Sequence, residues 1–276
     1  MNRSLRAAAV CAALAASSIA ASGAARPPAG RVEELRIDST LYGRERRVWV
    51  YTPPGYSPDA SADYDLLVAF DGREYLEDIG LPAMLDELLS RNRAGPFVAV
   101  LIDDATSAER LADLANHARF SDFLATELLD WVRGRWRVTR DPRRTIVTGS
   151  SAGGLAAAHA AFRHPEVFGN VLSQSGAFWR GNEGTNGEPY EWLTSRYAEA
   201  PRRDVRFVLE VGARETARAL GGAAPSILES NRRLRDVLVA KGYPVAYAEV
   251  PDAGHGPEFW KLRLPEAIAA LARPAR

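Results

Sequence analysis

The sequence predicts a single α/β domain: a mostly parallel, twisted sheet with helices on both faces and an antiparallel N-terminal edge. Strand-like and helical segments alternate through the second half of the chain, which is typical of a parallel sheet. Several strand segments are nearly continuous apolar runs, as expected for strands buried on both faces. The chain has 276 residues, 46% of them hydrophobic and 25% charged, which suits one domain with a sizeable core.

The first strands differ in pattern from the later ones. The segments Val32 to Asp38 and Arg46 to Tyr51 are strand-like, and the second alternates charged and apolar residues before Pro53-Pro54-Gly55. Together they predict an antiparallel hairpin at the sheet edge. The run from Tyr64 to Phe70 is almost entirely apolar, which predicts a buried strand, and it ends in Asp71-Gly72.

The remaining elements follow from hydrophobic periodicity and its breaks. Helices are predicted over 82–90, 120–131, 155–162, 227–240 and 257–271, and strands over 97–102, 145–148, 167–173, 205–211 and 245–250. One long irregular insertion is expected from Trp179 to Pro201, and such loops in compact domains often bind ligands or act as lids.

The N-terminal residues resemble a secretory signal. Arg3 and Arg6 precede an alanine-rich apolar run over 7–21, followed by Ser22-Gly23-Ala24. We expect a signal peptide over residues 1–24, a linker over 25–31 and the domain over 32–276, in a periplasmic or secreted protein. The apolar run is shorter than the ~20 residues of a spanning helix, so no membrane span is expected after signal removal.

Charge and cysteine content exclude several classes of function. The chain carries 35 basic and 35 acidic residues, which gives no basic surface for nucleic acid. Cys11 is the only cysteine and lies in the predicted signal peptide, which leaves no disulfide, thiolate nucleophile or cysteine metal ligand. We expect no metal and no other cofactor, and the sequence leaves the oligomeric state open.

A serine lies between the strand over 145–148 and the helix that follows it. The pattern G-x-S-x-G falls on Gly149, Ser151 and Gly153, which in this context indicates a nucleophile elbow. A turn that sharp crowds the residues two before and two after the serine, so both must be small. The neighbouring Ser150 lacks such flanks. The alternative is an ordinary helix start with a serine cap.

A serine nucleophile needs a histidine base, and four histidines are available. His255 is the predicted base, because it follows the last strand and has glycine on either side. His159 and His164 lie within or at the end of the helix after the elbow, where structural roles are more common. His117 lies in an irregular polar stretch.

The acid of such a site should lie between the serine and the histidine, on the loop after the penultimate strand. Glu215 occupies that loop, just past Val211-Gly212, and is the predicted acid. Glu210 is the alternative, although it lies within the strand itself. Asp252 is closer to the histidine in sequence but suits a turn.

Two backbone N–H groups are predicted to stabilise a developing oxyanion. One belongs to Ala152, directly after the serine and at the positive end of a helix. The other belongs to Arg73, which follows Asp71-Gly72 at the end of a buried strand, where open α/β sheets bind ligands.

Several stretches, taken together, resemble the enterochelin-esterase branch of the esterase D-like α/β-hydrolases over roughly residues 45 to 265. They are 70–72, 98–103, 127–129, 149–154, 164–169, 172–179 and 254–255. The resemblance implies an α/β-hydrolase fold and a serine esterase with the triad Ser151, Glu215 and His255. It also supports Arg73 and Ala152 as oxyanion donors.

The expected substrate is a small-molecule ester, with aryl or catechol-siderophore esters as the class that the resemblance implies. Trp179, Trp192 and Trp260 are predicted to line an aromatic pocket, although core packing explains them as well. Arg110 and Asn116 lie in a segment that resembles a substrate loop of the family.

Three other functions remain open at this point. An acyltransferase of the mycolyltransferase type would use the same triad. A feruloyl or acetyl esterase acting on plant polysaccharide would differ only in its substrate. A non-catalytic binding protein on a hydrolase scaffold is the third alternative, because fold alone does not determine function.

Overall fold

The computed structural model describes residues 29–103, 106–182 and 189–272. The predicted signal peptide and most of the predicted linker lie outside the described residues.

Eight strands form one sheet in the order β1-β2-β4-β3-β5-β6-β7-β8. They are β1 (Arg31–Ser39), β2 (Arg44–Thr52), β3 (Asp65–Ala69), β4 (Phe97–Ile102), β5 (Thr145–Ser150), β6 (Asn170–Gln174), β7 (Arg206–Gly212) and β8 (Val245–Val250). β1 pairs with β2, and β2 with β4, in antiparallel register, whereas the pairs from β4 to β8 are all parallel. The predicted fold class and its antiparallel edge are therefore confirmed.

The helices cover both faces of this sheet. They are α1 (Gly72–Glu74), α2 (Leu81–Ser90), α3 (Ser107–Leu114), α4 (Ala118–Phe123), α5 (Leu129–Arg133), α6 (Ala152–Arg163), α7 (Trp192–Glu199), α8 (Ile227–Ala240) and α9 (Pro257–Ala272). Wider π-helical turns over Tyr75–Ile79 and Leu124–Leu128 extend α1 and join α4 to α5. In the part of the chain that the structure describes, no helix is long and apolar enough to cross a membrane.

Two apolar layers form the core, one on each face of the sheet. Val98 and Val100 of β4 pack into the layer that includes Leu155 of α6. Ala99 and Leu101, the alternate residues of the same strand, pack into the layer beneath α2 and α9. Because successive side chains of a strand point to opposite faces, burial on both faces explains the continuous apolar runs.

The structure corrects two predicted boundaries and adds one helix that was not predicted. The insertion from Trp179 to Pro201 is not irregular throughout, because Trp192–Glu199 forms α7, whose Leu193 and Tyr197 are buried one helical turn apart. The segment that begins at Thr106 forms a short helix, α3, whose Thr106 side chain accepts a hydrogen bond from the Glu109 N–H. β6 begins at Asn170 rather than at residue 167, because residues 167 and 168 complete a turn after α6.

A buried ion pair attaches α3 to the N-terminal hairpin. Arg46 Nη1 lies 2.5 Å from Asp113 Oδ2, and both side chains are almost completely buried. The Tyr42 hydroxyl donates to the other Asp113 oxygen at 2.6 Å. The guanidinium of Arg46 also lies over the Tyr42 ring, 4.5 Å from its centre. This cluster fixes the helix that carries Arg110.

Candidate active site

The carboxyl ends of five adjacent parallel strands meet at one edge of the sheet. Five residues follow β3, β5, β6, β7 and β8, respectively: Asp71, Ser151, Ser175, Glu215 and His255. The chain reverses direction across the sheet between β3 and β5, so this edge is also the topological switch point, where open α/β sheets bind ligands.

Ser151 occupies the turn between β5 and α6 in a strained backbone conformation. Its φ is 54° and its ψ −116°, a region that residues other than glycine rarely adopt. Backbone hydrogen bonds hold this conformation: the Ser151 N–H donates to Gln174 O at 2.9 Å, and its carbonyl accepts from the Ala177 N–H at 2.9 Å. Both partners belong to β6 or the loop after it, so the turn is fixed to the neighbouring strand.

The glycines around Ser151 are required by close backbone contacts. A Cβ on Gly149 would lie 2.5 Å from the carbonyl carbon of Gly153, as expected for an elbow in which the two flanking residues meet. A Cβ on Gly154, outside the five-residue motif, would lie 3.1 Å from the Cα of Gly176 and also collide with the Ser173 hydroxyl. Gly154 therefore lets α6 lie against the loop after β6.

Ser150 has a different environment from Ser151. It is buried, and its hydroxyl donates to Glu74 Oε1 at 3.3 Å. Burial and the neighbouring charge of Asp71 raise the pKa of Glu74, while the Ser150 hydroxyl and Arg110 partly offset that effect. Ser150 is thus buried and hydrogen-bonded to Glu74, and Ser151 is the serine on the turn.

The structure brings Glu215 and His255 into direct contact. His255 Nδ1 lies 2.6 Å from Glu215 Oε2, with the glutamate side chain 3% exposed and the imidazole 38% exposed. The other glutamate oxygen accepts from the Gly212 N–H at 2.8 Å and from the Ser175 hydroxyl at 2.6 Å. Because the carboxylate offers only acceptors, Nδ1 carries the hydrogen and Nε2 is left to accept.

The loops that carry the acid and the histidine are joined through their backbones. The Ala213 N–H donates to Val250 O at 3.0 Å, and the Arg214 N–H donates to Ala253 O at 3.0 Å. A Cβ on Gly212 would lie 2.5 Å from Ala253 O, so only glycine lets the two loops approach this closely. The pair is therefore held by both its side chains and its backbones.

The alternative acids and bases are engaged elsewhere. Glu210 accepts from Arg263 Nε at 3.0 Å and from Gln174 Nε2 at 2.9 Å, and Asp252 pairs with Arg214. His159 is buried beside the Ser121 hydroxyl, and burial lowers the pKa of His159 to about 3.

His164, at the end of α6, contacts Asp122 at 2.8 Å and Glu166 at 3.1 Å. Neither His159 nor His164 contacts Glu215. Of the two glutamates left open by the sequence, Glu215 is the one in contact with His255.

Both predicted oxyanion donors lie in the first turn of a helix. Ala152 is the first residue of α6 and Arg73 the second of α1, positions whose N–H groups have no acceptor within the helix. Asp71 precedes α1 with φ 54°, and its carboxylate receives two hydrogen bonds from Arg110, from Nε and, at 2.8 Å, from Nη2. A Cβ on Gly153 would lie 3.3 Å from Asp71 Oδ2, so this carboxylate packs against the elbow.

Comparison with known proteins assigns this arrangement to a family. A family model described as "Putative esterase" matches residues 39–271. The chain belongs to this esterase family. The match spans the whole sheet edge from Asp71 to His255.

The relatives of this family member include iron(III) enterobactin esterases. The chain is 32% identical over 243 residues to the iron(III) enterobactin esterase of Escherichia coli K12, with 88% of this chain and 57% of that protein covered. It is 33% identical over 254 residues to the iron(III) enterobactin esterase of Dickeya dadantii, with 87% and 54% covered. The chain therefore spans a little over half the length of these relatives.

Solved structures support the same fold. The enterobactin esterase from Shigella flexneri, in the presence of enterobactin, superposes with a TM-score of 0.76 at 29% identity, covering 88% of this chain and 59% of that chain. A ferulic acid esterase superposes with a TM-score of 0.72 at 17% identity, covering 88% and 98%, and shows likeness of fold alone.

In this chain, two residues predicted to bind substrate are buried and hydrogen-bonded to other parts of the protein. Asn116 is 1% exposed, and its side-chain amide donates to Gly181 O at 2.9 Å, which ties the end of α3 to the loop after β6. Trp260 is 5% exposed, and its indole N–H donates to the Ser175 hydroxyl at 3.0 Å. Both side chains are therefore hydrogen-bonded within the protein, and their predicted contact with substrate stays a prediction.

The other three predicted substrate residues lie in different surroundings. Trp179 is buried against Ala177 and Ala224, with the Arg180 guanidinium 4.7 Å from its ring centre. Trp192 begins α7 and meets His159 edge-on at 5.8 Å, so it packs beside α6 rather than beside His255. Arg110 is partly exposed and reaches the elbow through Asp71.

Arg110 also affects the pKa of a neighbouring arginine. Burial, and secondarily the charge of Arg110, lower the pKa of Arg180.

Among the described residues, no group of His, Cys, Asp and Glu side chains could hold a metal ion.

Two contacts at this edge were not expected from the sequence. Ser175, with φ 51°, contacts Glu215, and Asp71 positions Arg110 against the elbow. The only local signal is the position of each residue directly after a buried strand.

Proposed function

We propose that the chain is a serine carboxylic-ester hydrolase that acts through an acyl-enzyme on Ser151. The observation that carries this proposal is the contact between His255 and Glu215 at the sheet edge where Ser151 occupies a strained turn. Membership of the esterase family supports the same chemistry. A binding protein on this scaffold would not need the strained serine or the buried acid.

The first half of the reaction transfers the acyl group to the enzyme. Nε2 of His255 accepts the Ser151 proton as the hydroxyl oxygen attacks the ester carbonyl, and Glu215 stabilises the resulting imidazolium through Nδ1–H. The Ala152 and Arg73 N–H groups donate to the oxyanion. The imidazolium then returns the proton to the departing alcohol, and Ser151 is left acylated.

In the second half, His255 deprotonates a water molecule that attacks the acyl carbonyl, and the carboxylic acid leaves with Ser151 restored. Among the described residues, the Ser151 hydroxyl and the His255 ring are not hydrogen-bonded to each other. Such bonds are often long before substrate binds and shorten in the productive complex. We therefore expect the imidazole to move towards Ser151 when an ester is bound.

We propose aryl or catechol-siderophore esters as the substrate class. This rests on the relatives, several of which are iron(III) enterobactin esterases, and on the aromatic residues around the loop after β6. An acyltransferase or a feruloyl or acetyl esterase would use the same triad.

The experiment compares the hydrolysis of p-nitrophenyl butyrate, a linear catechoylserine ester and methyl ferulate by wild type and Ser151→Ala. Turnover by the wild type alone supports the serine mechanism, and a large kcat/KM preference for the catechol ester supports the siderophore class. A preference for methyl ferulate contradicts that class. Equal rates for both proteins contradict the mechanism. Added sugar or lipid alcohols test acyl transfer, which would divert the acyl group from water.

We also propose that the protein is exported. The proposal rests on the sequence pattern of residues 1–24, in which arginines precede an alanine-rich apolar run. Expression of the full chain followed by mass spectrometry of the fractionated protein tests it. A new N-terminus between residues 21 and 26 in the periplasm or medium is expected, and an uncleaved protein confined to the cytoplasm would contradict export.

A further inference from the structure

Glu215 is held by a chain of hydrogen bonds that begins at the last helix. Trp260 Nε1 lies 3.0 Å from Ser175 Oγ, and Ser175 Oγ lies 2.6 Å from Glu215 Oε1. All three side chains are buried, and Ser175 is completely so. The ring of Trp260 also meets the His255 imidazole edge-on, with their centres 5.1 Å apart.

The direction of this chain is fixed by donor chemistry. An indole N–H can only donate, so the Ser175 oxygen accepts from Trp260. The single hydroxyl hydrogen of Ser175 is then directed to Glu215, which as a carboxylate can only accept. Glu215 thus receives three hydrogen bonds, from the Gly212 N–H, the Ser175 hydroxyl and His255.

The backbone at Ser175 is strained in support of this contact. Its φ is 51°, a left-handed conformation uncommon for serine, and its N–H donates to Glu210 O at 2.7 Å. Strained residues that surrounding bonds hold in place cluster at functional sites. The neighbouring Gln174 is fixed as well, because its amide donates to Trp260 O at 3.0 Å.

We propose that Ser175, fixed by Trp260, is a positioning residue that orients the Glu215 carboxylate and limits how strongly it binds His255. This inference rests on the proposed function, because it assigns Glu215 the role of the acid. Removing the hydroxyl leaves the carboxylate with one donor fewer. Its charge then acts more strongly on the imidazole N–H, which favours the protonated ring and loosens the carboxylate's orientation.

The other charged groups around the pair stay unchanged in this test. Asp252 is paired with Arg214, and Glu210 with Arg263. Glu258 Oε2 lies beside Gly256, 3.1 Å from where a Cβ on that glycine would be. A shift on removing the Ser175 hydroxyl therefore reports the hydroxyl itself.

The test compares wild type with Ser175→Ala, Ser175→Gly and Trp260→Phe. Glycine suits the left-handed backbone, so Ser175→Gly removes the hydroxyl without strain, while Trp260→Phe keeps an aromatic ring but removes the N–H donor together with part of the indole. Ser173→Ala is the matched control, because Ser173 lies two residues away on β6 and its buried hydroxyl has no partner among the described residues.

Two readouts are measured. The first is the proton NMR signal of the hydrogen shared by His255 and Glu215, which we expect to move downfield in both Ser175 variants and less far in Trp260→Phe. The second is the kcat/KM–pH profile for p-nitrophenyl butyrate, whose acidic limb should move to higher pH while kcat/KM falls about 10- to 100-fold. Ser173→Ala should match the wild type in both.

A fall in turnover with no movement of the proton signal or the acidic limb would show a merely structural role and overturn the proposal. So would identical behaviour of Ser175→Ala and Ser173→Ala. The proton signal needs no turnover, so it decides the role of Ser175 separately from the proposed function. That function fails instead if wild type and Ser151→Ala hydrolyse esters equally.

Discussion

Glu215→Gln removes one charge from the centre of the site and keeps the shape of the side chain. The oxygen that Glu215 turns towards Gly212 and Ser175 accepts from two donors, at 2.8 and 2.6 Å. A glutamine must place its carbonyl oxygen there, because an NH₂ group would face two N–H or O–H donors. Its NH₂ group then points at His255 Nδ1, 2.6 Å away in the wild type.

This arrangement forces the wrong tautomer on His255. Nδ1 must accept from the amide, so the ring hydrogen moves to Nε2, where the proposed base has to accept the Ser151 proton. In serine proteases the equivalent change lowers kcat about 10⁴-fold. We expect a loss of about 10³- to 10⁴-fold here, which corresponds to about 4–5.5 kcal/mol of transition-state stabilisation.

Steady-state hydrolysis of p-nitrophenyl butyrate by purified Glu215→Gln measures this loss. Thermal unfolding serves as the control for folding. Glu210→Gln is the matched control, because Glu210 is also a buried glutamate and lies on β7, the strand that precedes the loop of Glu215. Glu210→Gln should keep its ester hydrolysis within a small factor of wild type once its folding is matched. A Glu215→Gln enzyme within tenfold of wild type would refute the assignment of Glu215 as the acid.

Three further predictions concern the elbow and the core. Gly149→Ala places a methyl group 2.5 Å from the Gly153 carbonyl carbon, so urea unfolding should show a loss of about 1–3 kcal/mol and ester hydrolysis should fall with the displaced turn. Burial holds the pKa of His159 at about 3, below its unfolded value of about 6.5, so the unfolded state binds more protons between these values. The free energy of unfolding should therefore fall by about 2 kcal/mol from pH 7 to pH 5. His159→Gln should weaken this pH dependence, and an unchanged pH dependence in that variant would contradict the prediction. Arg46→Met leaves Asp113 charged and buried and should cost about 3–5 kcal/mol in urea unfolding, whereas adding Asp113→Leu should restore most of it; a double variant no better than the single one would contradict the ion-pair interpretation.

Local patterns in the sequence were sufficient for much of the fold. The helix Ile227–Ala240 and the strand Val245–Val250 have the predicted bounds, because Ser226 and Glu229 form a capping box and the strand is a compact run between turns. The elbow was also predictable, since its glycine spacing reflects one local contact between Gly149 and Gly153.

The parallel sheet explains why the candidate site could be assembled in outline. Residues that follow adjacent parallel strands must meet at one edge, so the contact between Glu215 and His255 follows from the order of the strands. The interaction of Ser175 with Trp260 could not be predicted in this way. It joins side chains 85 residues apart, and no local periodicity encodes it.

The same limit applies to buried polar and aromatic side chains whose partners lie far away in the sequence. Arg46 and Asp113 are both charged, and sequence reasoning places charged residues at the surface unless a partner is known. Asn116 and Trp260 have the residue types of ligand contacts, but long-range packing buries both. Their positions depend on how the loops after β6 and α3 meet, which involves distant parts of the chain.

Covalent labelling tests the central claim most directly, because it asks which atom is the nucleophile. The protein is treated with a fluorophosphonate, and intact mass and peptide mapping locate the adduct in wild type, Ser151→Ala and Ser150→Ala. We predict one adduct on Ser151 in wild type and in Ser150→Ala, and none in Ser151→Ala. An adduct that persists in Ser151→Ala, or a folded wild type that never reacts, would contradict the account of Ser151 as the nucleophile activated by His255 and Glu215.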